Sequence, residues 1–174
     1  GTLDMAWSPG AGHLLLSSDG ELVVLGRDGT SISRVGSGAE GPRRLAWSPD
    51  GEMFAASSVK SDGSRQEQSV VSIWTVGGAD VASWVAHPES LNRIVWSPDG
   101  GRLATTSDDR TCCVWRRNGD RLLTLRHPSD VVAVAWNHAG SRLATGTMAG
   151  TAHIWDEDGR QVAAVGGHQL GVWS

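Results

Sequence analysis

Apolar residues in this chain come in short runs of four to six, cut apart by turn-forming triplets, and no window of 11 or more carries a convincing 3.6-residue apolar stripe. The clearest stretch reads Leu91–Trp96, Arg102–Ser107, Thr111–Arg116 and Arg121–Leu125. Pro98-Asp99-Gly100, Asp108-Asp109-Arg110 and Asn118-Gly119-Asp120 divide it. A second stretch repeats the layout as Val131–Trp136, Arg142–Thr147, Thr151–Asp156 and Gln161–Val165. Runs rich in β-branched and aromatic residues between Gly, Asn and Asp predict strands. Asn118-Gly119 and Asp158-Gly159 fall between the third and fourth runs, where tight hairpins need them. The expected class is all-β, in antiparallel units of four strands.

These units recur. Ala6-Trp7-Ser8-Pro9 returns as Ala46-Trp47-Ser48-Pro49-Asp50-Gly51, as Val95-Trp96-Ser97-Pro98-Asp99-Gly100, and in altered form as Ala135-Trp136-Asn137-His138-Ala139-Gly140. The tryptophans at 7, 47, 96 and 136 are spaced 40, 49 and 40 residues apart. The longer interval holds the polar stretch Lys60-Ser61-Asp62-Gly63-Ser64-Arg65-Gln66-Glu67-Gln68, read as a loop insertion over 59–68. A period of 40-odd residues with four strands each reads as the blades of a β-propeller.

The motifs resemble those of the WD40-repeat family. Ile154-Trp155-Asp156 matches its signature dipeptide; Ile73-Trp74 and Val114-Trp115 match with Thr75 and Arg116 in the Asp place. Gly167-His168 matches the second dipeptide, and Ala86-His87 and Arg126-His127 keep its His. The resemblance divides the chain into blades over 1–38, 39–86, 87–126 and 127–166, with the start of a fifth over 167–174. It also implies a hydrogen-bonded set in each blade: a His before the first strand, a hydroxyl on the second, an Asp in the next turn and a Trp on the third. By that resemblance blade three has His87, Ser107, Asp109 and Trp115. Blade four has His127, Thr147 and Trp155, with Ala149 for the Asp. Blade one keeps Ser17 and Asp19 but has Leu25 for the Trp. Blade two keeps Ser58 and Trp74 but has Gly38 for the His.

Composition then excludes several functions. The chain is 39% apolar and 20% charged with a formal net charge of −4, and Lys60 is its single lysine. No basic run offers a nucleic-acid footprint, and no apolar stretch is long enough for a membrane-spanning helix. Cys112 and Cys113 are neighbours whose side chains a strand would send to opposite faces, so they are expected as reduced thiols in an intracellular protein, cytoplasmic or nuclear.

Enzyme and cofactor signals fail on context. Gly36-Ser37-Gly38-Ala39-Glu40-Gly41 has the spacing of a dinucleotide loop, but Pro42 and a strand follow where a helix must begin. Asp156-Glu157-Asp158-Gly159 starts like a calcium loop, yet Gly167 stands at the twelfth place, where a Glu is needed. His87, His127 and His168 come one per blade, too far apart to share an ion needing bonds near 2 Å. No catalytic residue, metal or cofactor is expected.

The family resemblance implies a protein-interaction scaffold binding proteins or peptides on the face made by the fourth-to-first and second-to-third connections. The contact candidates it carries over are Arg43, Asn92, Val132 and Trp173, with Asp108 and Met148 from the turns. An alternative is a propeller sensor attached to a protease, NTPase or hydrolase domain elsewhere. Counting nine residues on from His168 puts the next repeat Trp at 177, past Ser174. The expectation is therefore a portion of a seven- or eight-blade ring, completed by further blades of the same or a second chain.

Overall fold

A computed structural model describes residues 4–10, 12–18, 20–36, 43–61 and 67–166. They form sixteen strands in four antiparallel sheets of four, each sheet ordered as the chain runs. The first holds β1 (Met5–Trp7), β2 (Leu14–Ser18), β3 (Glu21–Leu25) and β4 (Ser31–Gly36). The second holds β5 (Arg44–Trp47), β6 (Met53–Ser61), β7 (Glu67–Thr75) and β8 (Asp80–His87). In the third are β9 (Leu91–Trp96), β10 (Arg102–Ser107), β11 (Thr111–Arg116) and β12 (Arg121–Arg126). The fourth has β13 (Val131–Trp136), β14 (Arg142–Thr147), β15 (Ala152–Asp156) and β16 (Gln161–Val165). There is no helix among the described residues, so none crosses a membrane.

The third sheet, packed between the second and fourth, buries both faces of its middle strands, so β10 and β11 read as almost unbroken buried runs, whereas β3 and β15 alternate. The cores lie between sheets. Val71, Ile73, Trp96, Leu103 and Trp115 fill the space between the second and third; Val114, Leu125, Val134, Leu143 and Trp155 fill that between the third and fourth. First strands sit side by side, β1 on β5, β5 on β9 and β9 on β13.

The repeated Trp-Ser-Pro-Asp-Gly segment performs two tasks. Its serine closes the hairpin to the second strand: Ser48 Oγ donates to Asp50 Oδ1 and accepts from the Met53 amide, and Ser97 does the same with Asp99 and Arg102. Its tryptophan joins neighbouring blades. Trp47 Nε1–H donates to the Ala6 carbonyl at 2.8 Å, and Trp96 Nε1–H to the Ala46 carbonyl at 3.2 Å. At the last junction Arg102 substitutes, lying 4.8 Å over the Trp136 ring and donating to the Gly140 carbonyl.

The insertion over 59–68 differs from its sequence reading. Val59, Lys60 and Ser61 pair with Ser69, Gln68 and Glu67, so its two ends, 59–61 and 67–68, prolong β6 and β7 beyond the strands of the other blades. Extension of an antiparallel ladder satisfies backbone groups that an irregular loop would leave to water. Residues 62–66 lie outside the described residues, as do Asp19, Gly38 and the expected fifth-blade segment 167–174 with His168 and Trp173.

Candidate interaction face and its bracing

Antiparallel order brings the fourth-to-first and second-to-third connections to one end of every sheet. At this end the 88–90 connection meets the 108–110 turn, where the Asp108 amide donates to the Ser90 carbonyl at 3.1 Å. One blade on, the Met148 amide donates to the Asp130 carbonyl at 2.9 Å, and the Ala149 amide to Ser129 Oγ at 3.2 Å. The third-blade turn holds Arg110 at φ 64°, a left-handed conformation that Gly20 and Gly150 supply in the corresponding turns.

Beneath these turns lies the hydrogen-bonded set. His87 Nδ1–H donates to Asp109 Oδ2 at 2.8 Å; its Nε2 accepts from Thr105 Oγ1 at 2.8 Å, and Thr105 Oγ1 in turn accepts Trp115 Nε1–H at 2.8 Å. Because a carboxylate only accepts, this chain fixes the imidazole tautomer. The hydroxyl in the set is Thr105, which corrects the expectation of Ser107. Ser107 instead accepts the Asp109 amide at 3.1 Å and shapes the turn. Blade four repeats the correction: Thr145, not Thr147, donates to His127 Nε2 at 2.7 Å and accepts Trp155 Nε1–H at 2.9 Å. Thr147 Oγ1 donates to the Thr151 carbonyl within its own turn. Residues two apart on a strand share a face, so alternation does not separate the two hydroxyls. Distance to the His ring does.

Burial works to raise the Asp109 carboxyl, but the bonds from His87 and Thr111 outweigh it and hold it below the ordinary carboxylate range. Burial pushes both the Cys112 and Cys113 thiols up, so they stay protonated and poorly nucleophilic. In blades one and two the second-strand place of Thr105 is taken by Leu16 and Ala56, opposite Val23 and Ser72. Packing replaces the polar set there: Phe54 lies edge-on to Trp47 and stacks on Trp74, with ring centroids 5.7 and 5.6 Å apart.

The contact candidates separate into three groups. Arg43 and Met148 are exposed, with Arg43 Nη2 3.7 Å from Glu67 Oε2. Asn92 and Asp108 are half-buried and face each other: Asn92 Nδ2 donates to Asp108 Oδ1 at 2.7 Å and to the Val131 carbonyl at 3.1 Å. Together with Arg44 Nε, which donates to the Asn92 carbonyl at 2.6 Å, they tie blades two, three and four. Val132 does not stand on the face. It is only 6% exposed, at the position that strand pairing skips between Val131 and Ala133. The cross-blade ties of Arg44 and of the repeat tryptophans were not foreseen; the fixed place of Trp before Ser-Pro was the signal available.

Four-stranded antiparallel wedges, packed in chain order through their first strands, the third and fourth carrying the His–Thr–Trp set, define a β-propeller repeat protein. The family model described as "WD domain, G-beta repeat" matches residues 78–116 and 119–156, and the chain carries WD40 repeats. Each matched unit takes the outer strand of one blade with the inner three of the next, β8 with β9–β11 and β12 with β13–β15. WD40 repeats generally mediate protein–protein interaction, and their propeller domains are typically non-catalytic. No curated protein matches the chain.

Proposed function

We propose that the chain is a non-catalytic scaffold that docks proteins or peptides on the end carrying the 88–90, 108–110, 127–130 and 148–150 connections. One observation carries this reading: side chains of that end brace blades two to four against one another, through Arg44 to Asn92 and through Asn92 to Asp108 and Val131. A surface ordered before its partner arrives loses little conformational entropy on binding. Arg43 and Met148 supply contacts of the types enriched at interfaces, a guanidinium and a thioether. Asn92 and Asp108 act as struts. A reducing setting, cytoplasmic or nuclear, accords with two free buried thiols.

The test is a pull-down with the double variant Arg43→Glu, Met148→Glu against the native chain. Both residues are exposed, so melting should barely change, while recovery of bound partners should drop on the order of tenfold or more if they lie in the contact centre. Undiminished recovery at native stability overturns this face.

A further inference from the structure

Blades three and four share one hydrogen-bonding triangle and differ in what encloses it. In blade three the His87 Nδ1–H meets the Asp109 carboxylate, so a second proton on that ring would find a counter-charge. In blade four the turn has Ala149 at the corresponding place, and His127 Nδ1–H meets the Leu125 carbonyl at 3.2 Å. The third strand adds a second difference. Where Cys113 pairs with Thr105, His153 pairs with Thr145, and its ring stands edge-on to His127 with centroids 5.0 Å apart. Gln161 Oε1 accepts from His153 Nδ1 at 3.1 Å, while the buried His153 Nε2 has no hydrogen-bond partner. Trp155 closes the group, stacked on His153 and edge-on to His127.

Charged groups on the surrounding elements do not reach these rings. Arg110 meets His127 through its backbone carbonyl, which accepts the His127 amide at 2.9 Å. Asp130 likewise uses its carbonyl, on Met148. Arg126 at the end of β12 is exposed, Asp158 and Arg160 pair with each other past β15, Asp156 accepts amides of that same turn, and Asp109 is engaged by His87 and Thr111.

We propose that His127, packed against His153, is an acid-sensitive latch at the blade-four end of the interaction face, in which a proton taken up by the His127 ring releases the 127–130 connection and the 148–150 turn together. The two segments are joined by the Met148-to-Asp130 and Ala149-to-Ser129 bonds, so freeing one frees the other. Burial, with His153 adding to it, pushes His127 down to about 4. In an opened connection the ring meets water and takes its proton near the ordinary 6.5. The closed form is therefore at full strength above that pH and loses ground as pH falls from 6.5 toward 4. The consequence for partner binding at Met148 rests on the face proposed above. The latch itself does not, and the experiment reads the latch alone.

Amide hydrogen exchange at Met148 and Ala149, taken relative to the Asp108 amide of blade three in the same chain, measures it. Between pH 7 and 5 the relative protection should fall roughly twentyfold, as linkage requires for a ring near 4 when closed and 6.5 when open. Ala149→Asp gives blade four the carboxylate of blade three, and His153→Cys gives it the residue at the Cys113 position. Each should flatten the dependence, and either suffices if the other fails to fold. A native chain whose relative protection does not change, both variants falling as steeply as native, or a His127 titration midpoint at or above 6.5 overturns the latch.

Discussion

Thr105 carries two partners at once, taking the Trp115 proton and giving its own to His87, and that double engagement sets what its loss does. Thr105→Val keeps the shape but leaves a buried indole N–H and a buried ring nitrogen unpaired, a cost of about 1–3 kcal/mol. Ser107→Ala removes one turn acceptor and should cost less, about 0.5–1 kcal/mol. Urea unfolding of the two variants separates them, and equal losses would count against the Thr105-centred set. Strand periodicity placed both hydroxyls on one face; which one the His ring reaches depends on how far along β10 the ring projects.

At the scale of the strand, every blade has the same irregularity in its fourth strand. Pairing skips one residue next to the hairpin turn: Ile32 opposite β3, Val81 opposite β7, Leu122 opposite β11 and Val162 opposite β15. All four skipped residues are apolar and exposed, at 43, 42, 38 and 50%. Three bulges face the repeat tryptophans 74, 115 and 155, yet the first persists opposite Leu25, so making room for an indole is not their shared cause. β4, β8, β12 and β16 are the last strands of their sheets, where a flat apolar edge would invite a further strand from another molecule. A bulge twists the edge away and interrupts the row of backbone groups. Deleting Leu122 restores regular pairing while leaving the other side chains on their faces. Sedimentation should then show concentration-dependent association that the native chain lacks at the same concentration; identical sedimentation would mean the bulge guards nothing.

Across the whole molecule, the same residue type has opposite surroundings according to which blade stands beside it. Trp47 and Trp96 are 8% exposed because the preceding blade covers them and accepts their N–H; Trp7, at the same repeat position, is 65% exposed. Trp47→Ala should cost about 3–5 kcal/mol, while Trp7→Ala should fall within about 0.5 kcal/mol of native. Chemical denaturation of the two single variants checks the contrast. A large loss from Trp7→Ala would show that in solution its ring is covered, as a neighbouring blade or second chain would cover it. Packing of each wedge only on its neighbours makes these effects local, as in other repeat arrays.

The all-β class, four strands to a unit, the turns and the identity of the repeat were legible in the sequence. They follow from local chemistry: alternation, Gly and Asn at turns, and a Trp-Ser-Pro segment returning at a near-constant interval. His87, Asp109 and Trp115 could be named from their motif because each stands at a strand end or turn that the sequence marks. Tertiary structure decided the rest, since it depended on register and on what lies across a blade boundary. Register chose Thr105 and Thr145 over Ser107 and Thr147, left Val132 buried beside a bulge, and continued the two ends of the 59–68 insertion, 59–61 and 67–68, as paired strand. Packing between blades turned Asn92 and Asp108 from contacts into struts, and set His153 against His127 from a strand 26 residues away. A one-dimensional pattern states which face a side chain takes; only the assembled sheets state what it meets there.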